Sequence, residues 1–438
     1  MPSLSFFRRM SLPSVGKPSS KSSANEQNAE ERVSIPETQT VLLLHAPRQP
    51  YQLTTSYPVP QVKGIREVLV RTRAIGLNPI DWKAPDFNFG IPELPYISGR
   101  ELAGEIVQTS DRSSRLKLGD RVLVISTDYR DLRKAAYQEY VVALDYNTVR
   151  IPPALSLEKA STLGVAFVAA ALALGVCMGV DFSGELGGPD LHRLVREVAS
   201  EGLASDIRKE CLDGIREHER AVRGDWLAVW GGSSTSAHLT IQLAKLVGLK
   251  TVAIVDKAKH GVRLTNHQAI HTDLLVDSHD PQRAVDIIRS NLQGKLRFGI
   301  DTRGAESATS LLQALSPGTS ARQSRPLVGA PRNASPPSPP ATPDDSMLLS
   351  AHLIGLTGLP KHPAPEGTVY HTIPIKLFHE MPAIGEALSS WLERLLAEGR
   401  ICAPEVLDVE QGLGSVNKGL DRMRRGEISG GKLVVKVA

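Results

Sequence analysis

The sequence predicts an α/β protein in which a β-rich domain is followed by a doubly wound parallel sheet. Between residues 40 and 150, short apolar runs alternate with turn residues, a pattern typical of antiparallel strands. After Trp226, continuous apolar strands alternate with helical patterns, which indicates βαβ units covered on both faces. A chain of 438 residues is long enough for two or three domains with sizeable cores.

The composition excludes two classes of protein. With 41% hydrophobic and 22% charged residues the chain is ordinary for a globular protein. We expect no membrane association, because no uninterrupted apolar run approaches about 18 residues. Three widely spaced cysteines exclude a disulfide framework and a Cys-rich zinc site, and they fit a reducing compartment.

The basic charge is concentrated at the N-terminus. Residues 1–25 carry four Lys and Arg and no acid, which equals the net charge of +4 of the whole chain. The remainder is therefore neutral overall, and no binding of nucleic acid is expected.

Residues 1–39 are predicted to be a disordered tail, rich in Ser and Pro. The basic, acid-free start around Phe6–Arg9 also resembles a weak transit peptide. A cytoplasmic location is expected, with the mitochondrial matrix as the alternative.

Apolar runs and turn residues predict the elements in order. A buried helix is expected over 165–180 and further helices over 239–247, 307–315 and 384–396. Strands are predicted over 41–44, 67–76, 104–107, 119–124, 226–230, 251–255, 274–276, 298–300, 353–356 and 432–437.

Two segments interrupt this pattern. Residues 317–345 hold eight prolines and form a low-complexity linker. Residues 181–224 predict two amphipathic helices, which form either a lid or partner surface or an insertion packed on the domain flank. Their apolar positions are Leu191, Leu194, Val195 and Val198, and Ile207, Cys211 and Ile215.

The turn after the strand 226–230 is the main chemical clue. Glycines allow a diphosphate to approach the backbone, hydroxyls add donors, and a helix N-terminus offers free amides. The alternative is a plain helix cap, because the usual spaced-glycine fingerprint is absent and only Ala237 stands near its last position. The predicted binding residues of the turn are Gly231, Gly232, Ser233, Ser234, Thr235 and Ser236.

The end of the second strand leaves the choice of cofactor open. Asp256 is placed to accept the ribose 2′-hydroxyl of NADH. Lys257 and Lys259 follow it and could instead pair with the 2′-phosphate of NADPH.

Four segments together resemble the medium-chain dehydrogenase/reductase superfamily. Residues 76–83 (GLNPIDWK) are similar to the G-x-N-P-x-D signature of its zinc-free reductases, and 99–107 (GRELAGEIV) to its G-H-E-x-x-G-x-V segment. Residues 118–122 (LGDRV) match its G-D-R-V turn, and 431–434 (GKLV) its terminal strand.

The resemblance covers residues 40–180, 225–316 and 347–438, and it implies the domain organisation. A GroES-like catalytic domain would begin at 40–172. A Rossmann cofactor domain would follow over 173–372, with insertions at 181–224 and 317–346. Residues 373–438 would complete the catalytic domain.

The departures from the superfamily's zinc members imply that no zinc and no other metal is bound. Those members have His where this chain has Arg100, and Cys near the position of Asn78. A guanidinium has no free lone pair for a metal. The resemblance therefore favours reduction of an activated C=C bond.

Residues 88–95 (NFGIPELP) resemble the N-Y-G-x-x-P-E-L-P segment of enoyl-thioester reductases, a group to which the fungal trans-acting enoyl reductases are related. The tyrosine that is their proposed proton donor is here Phe89, which cannot donate a proton. Lys83, Tyr96 or water remain as donors, and Asn78 is expected to line the nicotinamide cleft. Lys83 could equally be a solvated surface lysine, and Asn78 a turn initiator.

By the same resemblance, strand ends in the second sheet and the terminal strand should hold the cofactor. Asp301 has a second interpretation, as a cap of the following helix. The residues expected to bind the cofactor are Asp301, Thr302, Thr357, Gly358 and Lys432.

Two functions follow. The first is an NADPH-dependent reductase, with NADH as the alternative cofactor, that transfers hydride to an enoyl thioester, an enone or a quinone. The second is a non-catalytic nucleotide-binding scaffold of the same fold. The expected partner is a small-molecule substrate, and homodimers, common in the superfamily, are an expected state.

Overall fold

The computed structural model describes residues 34–110, 115–199, 202–320 and 347–437. The predicted tail and the linker lie largely outside this part of the chain. The molecule divides into two units, Met1–Ile35 and Pro36–Ala438. Residues 34 and 35 of the first unit have no regular secondary structure, and all that follows concerns the second unit.

The described part of the second unit contains strands, helices and short turns of helix. The strands are β1 (Thr38–Leu43), β2 (Gln52–Pro58), β3 (Glu67–Gly76), β4 (Glu101–Thr109), β5 (Arg121–Ile125), β6 (Tyr140–Leu144), β7 (Thr148–Arg150), β8 (Trp226–Trp230), β9 (Lys250–Val255), β10 (Leu274–Asp277), β11 (Leu296–Asp301), β12 (Gly318–Ser320), β13 (Met347–Leu349), β14 (Ala351–Gly355), β15 (Thr368–Thr372), β16 (Val406–Gln411) and β17 (Lys432–Lys436). The α-helices are α1 (Pro79–Phe87), α2 (Leu157–Ala160), α3 (Gly164–Leu172), α4 (Leu191–Val198), α5 (Ser205–Asp213), α6 (Thr235–Leu246), α7 (Lys257–Asn266), α8 (Pro281–Leu292), α9 (Ala305–Ala314), α10 (Leu377–Glu380), α11 (Pro382–Ala397) and α12 (Val416–Arg424). The 3₁₀ turns are Leu132–Lys134, Asp145–Asn147, Glu217–Glu219 and Leu413–Ser415.

The first domain is built on a largely antiparallel sheet. Its strand order is β16-β17-β3-β4-β5-β7, with β6 also paired to β3. The long strand β3 carries two irregularities of register against β4, which bend it so that it can pair with several neighbours. Val434 of β17 lies opposite Gly76 of β3, so the C-terminal strand belongs to this sheet.

The second sheet is parallel, with the order β10-β9-β8-β11-β14-β15. Its strands are apolar without alternation because helices cover both faces. Asp301 lies opposite Trp230 on one side and Gly355 on the other. The carboxyl ends of β8, β11 and β14 therefore meet at one edge, where a doubly wound sheet binds its ligand.

The helix predicted over 165–180 is α3, and it continues as a π-helical turn, Ala173–Cys177. The segment Leu157–Cys177 is long and apolar enough to span a membrane, but 94% of its most apolar window is buried inside the protein. Such burial is what a core helix of a folded domain shows.

The insertion at 181–224 forms the two predicted helices, α4 and α5. Leu191 and Val195 of α4 and Ile207 of α5 are buried in the same apolar core as Trp391 of α11. Where the structure describes it, the insertion thus packs on the domain flank.

One predicted boundary is wrong. The turn expected over 231–237 is shorter, because α6 begins at Thr235 rather than near Leu239. Ser234 caps the helix: its Oγ accepts a hydrogen bond from the amide of Ala237 at 3.1 Å.

Candidate active site

A cavity of about 570 Å³ lies at the carboxyl edge of the parallel sheet. One wall comes from the loops after β8, β9 and β11 of the second domain. The other wall comes from Leu77 and Pro79 of the first domain and from the segment Ile428–Leu433 that leads into β17. The cleft is therefore enclosed by both domains.

The glycine-serine turn, residues 231–237, fits the approach of a phosphate. Gly231 has φ of +77°, and a Cβ at this position would contact the side chains of Thr302 and Arg303. Gly232 packs so closely on β9 that an added Cβ would lie 2.8 Å from the Cβ of Ala253. Only glycine allows this path of the backbone at both positions.

The hydrogen bonds of the turn decide which amides a ligand could use. The amides of Gly231 and Gly232 both donate to the carbonyl oxygen of Ile254, at 3.0 and 3.1 Å. Within the part of the chain that the structure describes, the amides of Ser233, Thr235 and Ser236 have no acceptor. These three N–H groups at the start of α6 are free for an anion.

The structure brings only part of the predicted turn to the cavity surface. Gly231, Ser233, Ser234 and Thr235 line it, as does Thr302. Thr302 Oγ1 lies 3.1 Å from Ser234 Oγ and from the carbonyl oxygen of Gly231, and so connects the loops after β8 and β11. Gly232 and Ser236 are not among the lining residues, and the amide of Gly232 already donates to Ile254.

Asp256 lines the cleft, but it is the N-cap of α7 rather than the end of β9. One carboxylate oxygen accepts a hydrogen bond from the amide of Lys259, and the other lies 3.4 Å from its ammonium. The imidazole of His279 lies 3.6 Å from the same carboxylate. Lys259 thus offsets the charge of Asp256, and His279 does so when it is protonated.

His279 is a cleft residue that the sequence analysis missed. Its Nδ1 lies 3.1 Å from a carboxylate oxygen of Asp277. The hydrogen bond with Asp277 and the negative charges of Asp277 and Asp256 raise the pKa of His279 above its usual range. A histidine in the loop after a third strand gives no local motif, so no signal in the sequence could have found it.

Lys257 was predicted beside Lys259 but is not among the cleft-lining residues. Its backbone amide donates to Asp277, and its side chain is exposed. Because successive residues of a helix start point in different directions, only one of the two lysines reaches the cleft.

Asp301 does not line the cleft either. Its buried Oδ1 accepts hydrogen bonds from the amides of Arg303 and Gly304, at 2.8 and 2.7 Å. Burial raises the pKa of Asp301, although hydrogen bonds from these amides and from Ser307 oppose that rise. Asp301 therefore shapes the loop that leads into α9. This role resembles the helix cap that was the second interpretation of Asp301 from the sequence.

Thr357 and Gly358 follow β14 but lie away from the cavity. Thr357 is exposed, and the amide of the preceding Leu356 donates to the carbonyl oxygen of Asp301. The chain turns away at this point, which places the loop against the start of α9.

Lys432 lines the cleft, but its ammonium is already paired. Lys432 and Glu101 are both buried, and Lys432 Nζ forms an ion pair with Glu101 Oε1. Asn78 Nδ2 donates to the same oxygen at 3.0 Å, and Glu101 Oε2 accepts from the amide of Val165. We refer to Asn78, Glu101 and Lys432 as the Glu101 cluster; its polar groups bind one another rather than a ligand.

The predicted proton donors are not brought to the cavity. Lys83 is half-buried, with its ammonium 5.7 Å from the centre of the Trp82 ring. Tyr96 is 2% exposed, and burial raises the pKa of its hydroxyl. Phe89, at the position of the family tyrosine, lies exposed just after α1.

The rim of the cleft ties the two domains together. His260 of α7 hydrogen-bonds through Nε2 to the hydroxyl of Ser429, at 2.9 Å. Arg263 Nη1 donates to the carbonyl oxygen of Gly430. These contacts hold the segment before β17 over the glycine-serine turn.

Comparisons with known proteins agree with this architecture. The alcohol dehydrogenase GroES-like domain matches residues 64–153. A trans-enoyl reductase of Botryotinia fuckeliana is 26% identical over 398 residues, which cover 88% of this chain and 96% of that protein. A trans-enoyl reductase of Gibberella fujikuroi is 26% identical over 405 residues, covering 90% and 97%.

Solved structures have the same fold. An alcohol dehydrogenase superfamily protein from Novosphingobium aromaticivorans superposes with a TM-score of 0.65 at 16% identity, over 92% of this chain and 100% of that one. A quinone oxidoreductase from Pseudomonas syringae gives a TM-score of 0.61 at 16% identity, over 91% and 99%.

The chain has a GroES-like domain and a parallel-sheet, Rossmann-type domain, and in this architecture it is similar to the medium-chain dehydrogenase/reductase superfamily. Over most of its length it is similar in sequence to trans-enoyl reductases and in fold to quinone oxidoreductases, and these likenesses support an oxidoreductase of the zinc-independent branch.

Proposed function

We propose that the chain binds NADPH in the cleft between its two domains and reduces an activated C=C bond of an enoyl thioester, an enone or a quinone. The observation that carries this proposal is the glycine-serine turn, in which the free amides of Ser233 and Thr235 belong to residues that line the cleft. When bound, the nicotinamide supplies a hydride to the electron-poor carbon of the substrate.

The residues present fit a dinucleotide. The free amides of Ser233, Thr235 and Ser236 suit the diphosphate, since the start of α6 also carries a positive partial charge. Leu77 and Pro79 offer an apolar wall opposite, on which a nicotinamide ring could pack. Asn78 lies between these two residues, and its hydrogen bond to Glu101 fixes the position of the wall.

The surroundings of Asp256 favour NADPH over NADH. A lone carboxylate would repel a 2′-phosphate, but Lys259 and the proton-binding His279 face it at 3.4 and 3.6 Å. Lys259 and the protonated form of His279 would therefore offset that repulsion. NADH remains the alternative if Asp256 instead accepts the 2′-hydroxyl.

For protonation at the α-carbon, we propose water as the donor. Neither Lys83 nor Tyr96 lines the cavity, and Phe89 has no acidic proton. Metal-assisted chemistry is not part of the proposal, because Arg100 takes the place of a zinc-binding histidine and has no lone pair to offer.

The test is NADPH oxidation by the purified full chain with a panel of enones, enoyl thioesters and quinones, together with calorimetric titration of NADPH and NADH. We expect binding of NADPH with turnover of at least one class. Tight binding without any turnover would favour the scaffold alternative, which the lack of a side-chain proton donor in the cavity supports. Absence of binding would contradict both.

A further inference from the structure

A second group of chemically active side chains lies away from the cofactor cleft. Cys177, Glu210 and His371 each offer one potential ligand atom, and these atoms all lie within 4.8 Å of one another. None of the three lines the cleft. We call these residues the Cys177 cluster.

The cluster joins three separate parts of the fold. Cys177 ends the π-helical turn after α3, Glu210 belongs to α5 of the insertion, and His371 lies in the edge strand β15. Cys177 and His371 are fully buried, and Glu210 is partly exposed. Side chains so far apart in sequence are brought together only by the packing of the insertion on the domain.

Both ring nitrogens of His371 are engaged. Nδ1 lies 2.7 Å from Glu210 Oε1, and Nε2 lies 2.9 Å from Nδ1 of the buried His352. A histidine that binds a metal through one nitrogen is typically oriented by a hydrogen bond at the other. His352 provides that outer hydrogen bond for His371.

One buried polar atom beside the cluster has no partner among the described residues. Nε2 of His352 is buried without a hydrogen-bond partner in the described part of the chain. A divalent cation would take the place of the protons, and a thiolate, a carboxylate and a neutral imidazole would balance its charge.

The ligand types select the ion. Sulfur, nitrogen and carboxylate oxygen together suit Zn²⁺, whereas Mg²⁺ and Ca²⁺ prefer oxygen alone. A cavity of about 660 Å³ lies against α5, and its lining includes Glu210, Asp206 and Asp213. The cavity reaches Glu210 and offers room for a water that would complete a tetrahedral site.

We propose that Cys177, Glu210 and His371 bind a zinc ion that fastens the insertion to the core helix and to the edge of the parallel sheet. The site is structural and independent of the proposed reductase activity. It departs from the sequence-based prediction of no metal, which considered only Cys-rich motifs and the family positions of Asn78 and Arg100.

The test uses the untagged, reduced full chain, purified without chelators, and measures metal content by mass spectrometry. We expect about one zinc per chain, because the ligands Cys177 and His371 are fully buried and shield the ion during purification. After removal of zinc, added Co²⁺ should produce a thiolate-to-cobalt absorption band, and the thermal midpoint of the zinc-free protein should rise when zinc is restored.

Variants locate the site. Cys177→Ser should abolish the cobalt band, and Glu210→Gln should lower zinc affinity at least about tenfold. Cys402→Ser is the matched control, because Cys402 Sγ also lies near a histidine nitrogen, 3.6 Å from His238 Nε2, and is not part of the cluster. It should leave zinc content and the band unchanged.

The zinc content and the cobalt spectrum of the wild type test the proposal even if a variant fails to fold. A reduced wild-type chain that carries no zinc and gives no thiolate-to-cobalt band overturns the proposal. A band that survives in Cys177→Ser and disappears in Cys402→Ser would also overturn it. Binding of NADPH by the zinc-free protein is expected either way, so failure of one proposal does not imply failure of the other.

Discussion

The glycine-serine turn and Lys432 of the Glu101 cluster both line the cleft, and the sequence predicts that both bind the cofactor. In the turn, the amides of Ser233, Thr235 and Ser236 have no acceptor within the described residues. In the cluster, the ammonium of Lys432 and the amide of Asn78 converge on Glu101. Unpaired polar groups are available to a ligand, and paired ones hold the architecture. The sequence alone does not separate these roles.

The largest effect we expect is on stability, from Glu101→Gln. The change leaves the buried ammonium of Lys432 without its carboxylate, which costs about 3–5 kcal/mol of unfolding free energy. Chemical denaturation measures the loss. The double variant Glu101→Gln with Lys432→Met should recover part of it, because no buried charge remains. A double variant that is destabilised as much as Glu101→Gln alone would contradict the pairing of Glu101 with Lys432.

Gly231→Ala should act on binding instead. An alanine at φ of +77° costs roughly 1–2 kcal/mol, and its Cβ would also displace Thr302. NADPH affinity measured by calorimetry should fall at least about tenfold. Gly224→Ala is the control: its φ is +93°, but an added Cβ meets nothing within 4 Å. Equal loss of affinity in both variants would mean that strain, and not the turn, controls binding.

A smaller effect is expected from Lys259→Ala. Loss of one exposed cation beside the 2′-phosphate should weaken NADPH about fivefold and leave NADH unchanged or slightly tighter. Lys257→Ala, two residues away and outside the cleft lining, should change neither affinity. Equal effects of the two lysines would contradict the assignment of Lys259 to the cofactor.

The smallest effect concerns pH. The pKa of His279 is raised by Asp277 and Asp256, so the imidazolium persists to higher pH than usual and loses its charge as pH rises through the raised pKa. Its contribution to NADPH affinity, about twofold, should be lost over the same range. The 2′-phosphate of NADPH also titrates, near pH 6. The pH dependence of NADPH affinity is therefore compared between the wild type and His279→Gln, which lacks the contribution of the imidazole. Identical pH profiles would remove His279 from the site.

The order and type of most elements could be predicted from the sequence. The strand predicted over 67–76 coincides with β3, and 226–230 with β8, because both runs are apolar and bounded by turn residues. The start of α6 was predicted too late because a run of Ser and Thr residues is typical of a turn. In the structure Ser234 is the N-cap, and the helix begins at the next residue, Thr235.

The site was less predictable than the fold, for a physical reason. Local motifs identify a turn such as 231–237, but which side chains reach the cleft depends on how distant loops pack. His279 joins Asp256 only through the neighbouring strands β9 and β10. The ammonium of Lys432 is ion-paired with Glu101, which lies 331 positions earlier in the chain. Pairings over such separations leave no trace in local spacing.

Hydrogen exchange with and without NADPH tests the central claim most directly, since it reports on amides region by region. The account predicts that NADPH slows exchange in the segment 231–238, where amides without acceptors would bind the diphosphate, and leaves 98–103, around Glu101, little changed. Unchanged exchange at 231–238 under saturating NADPH would contradict the account.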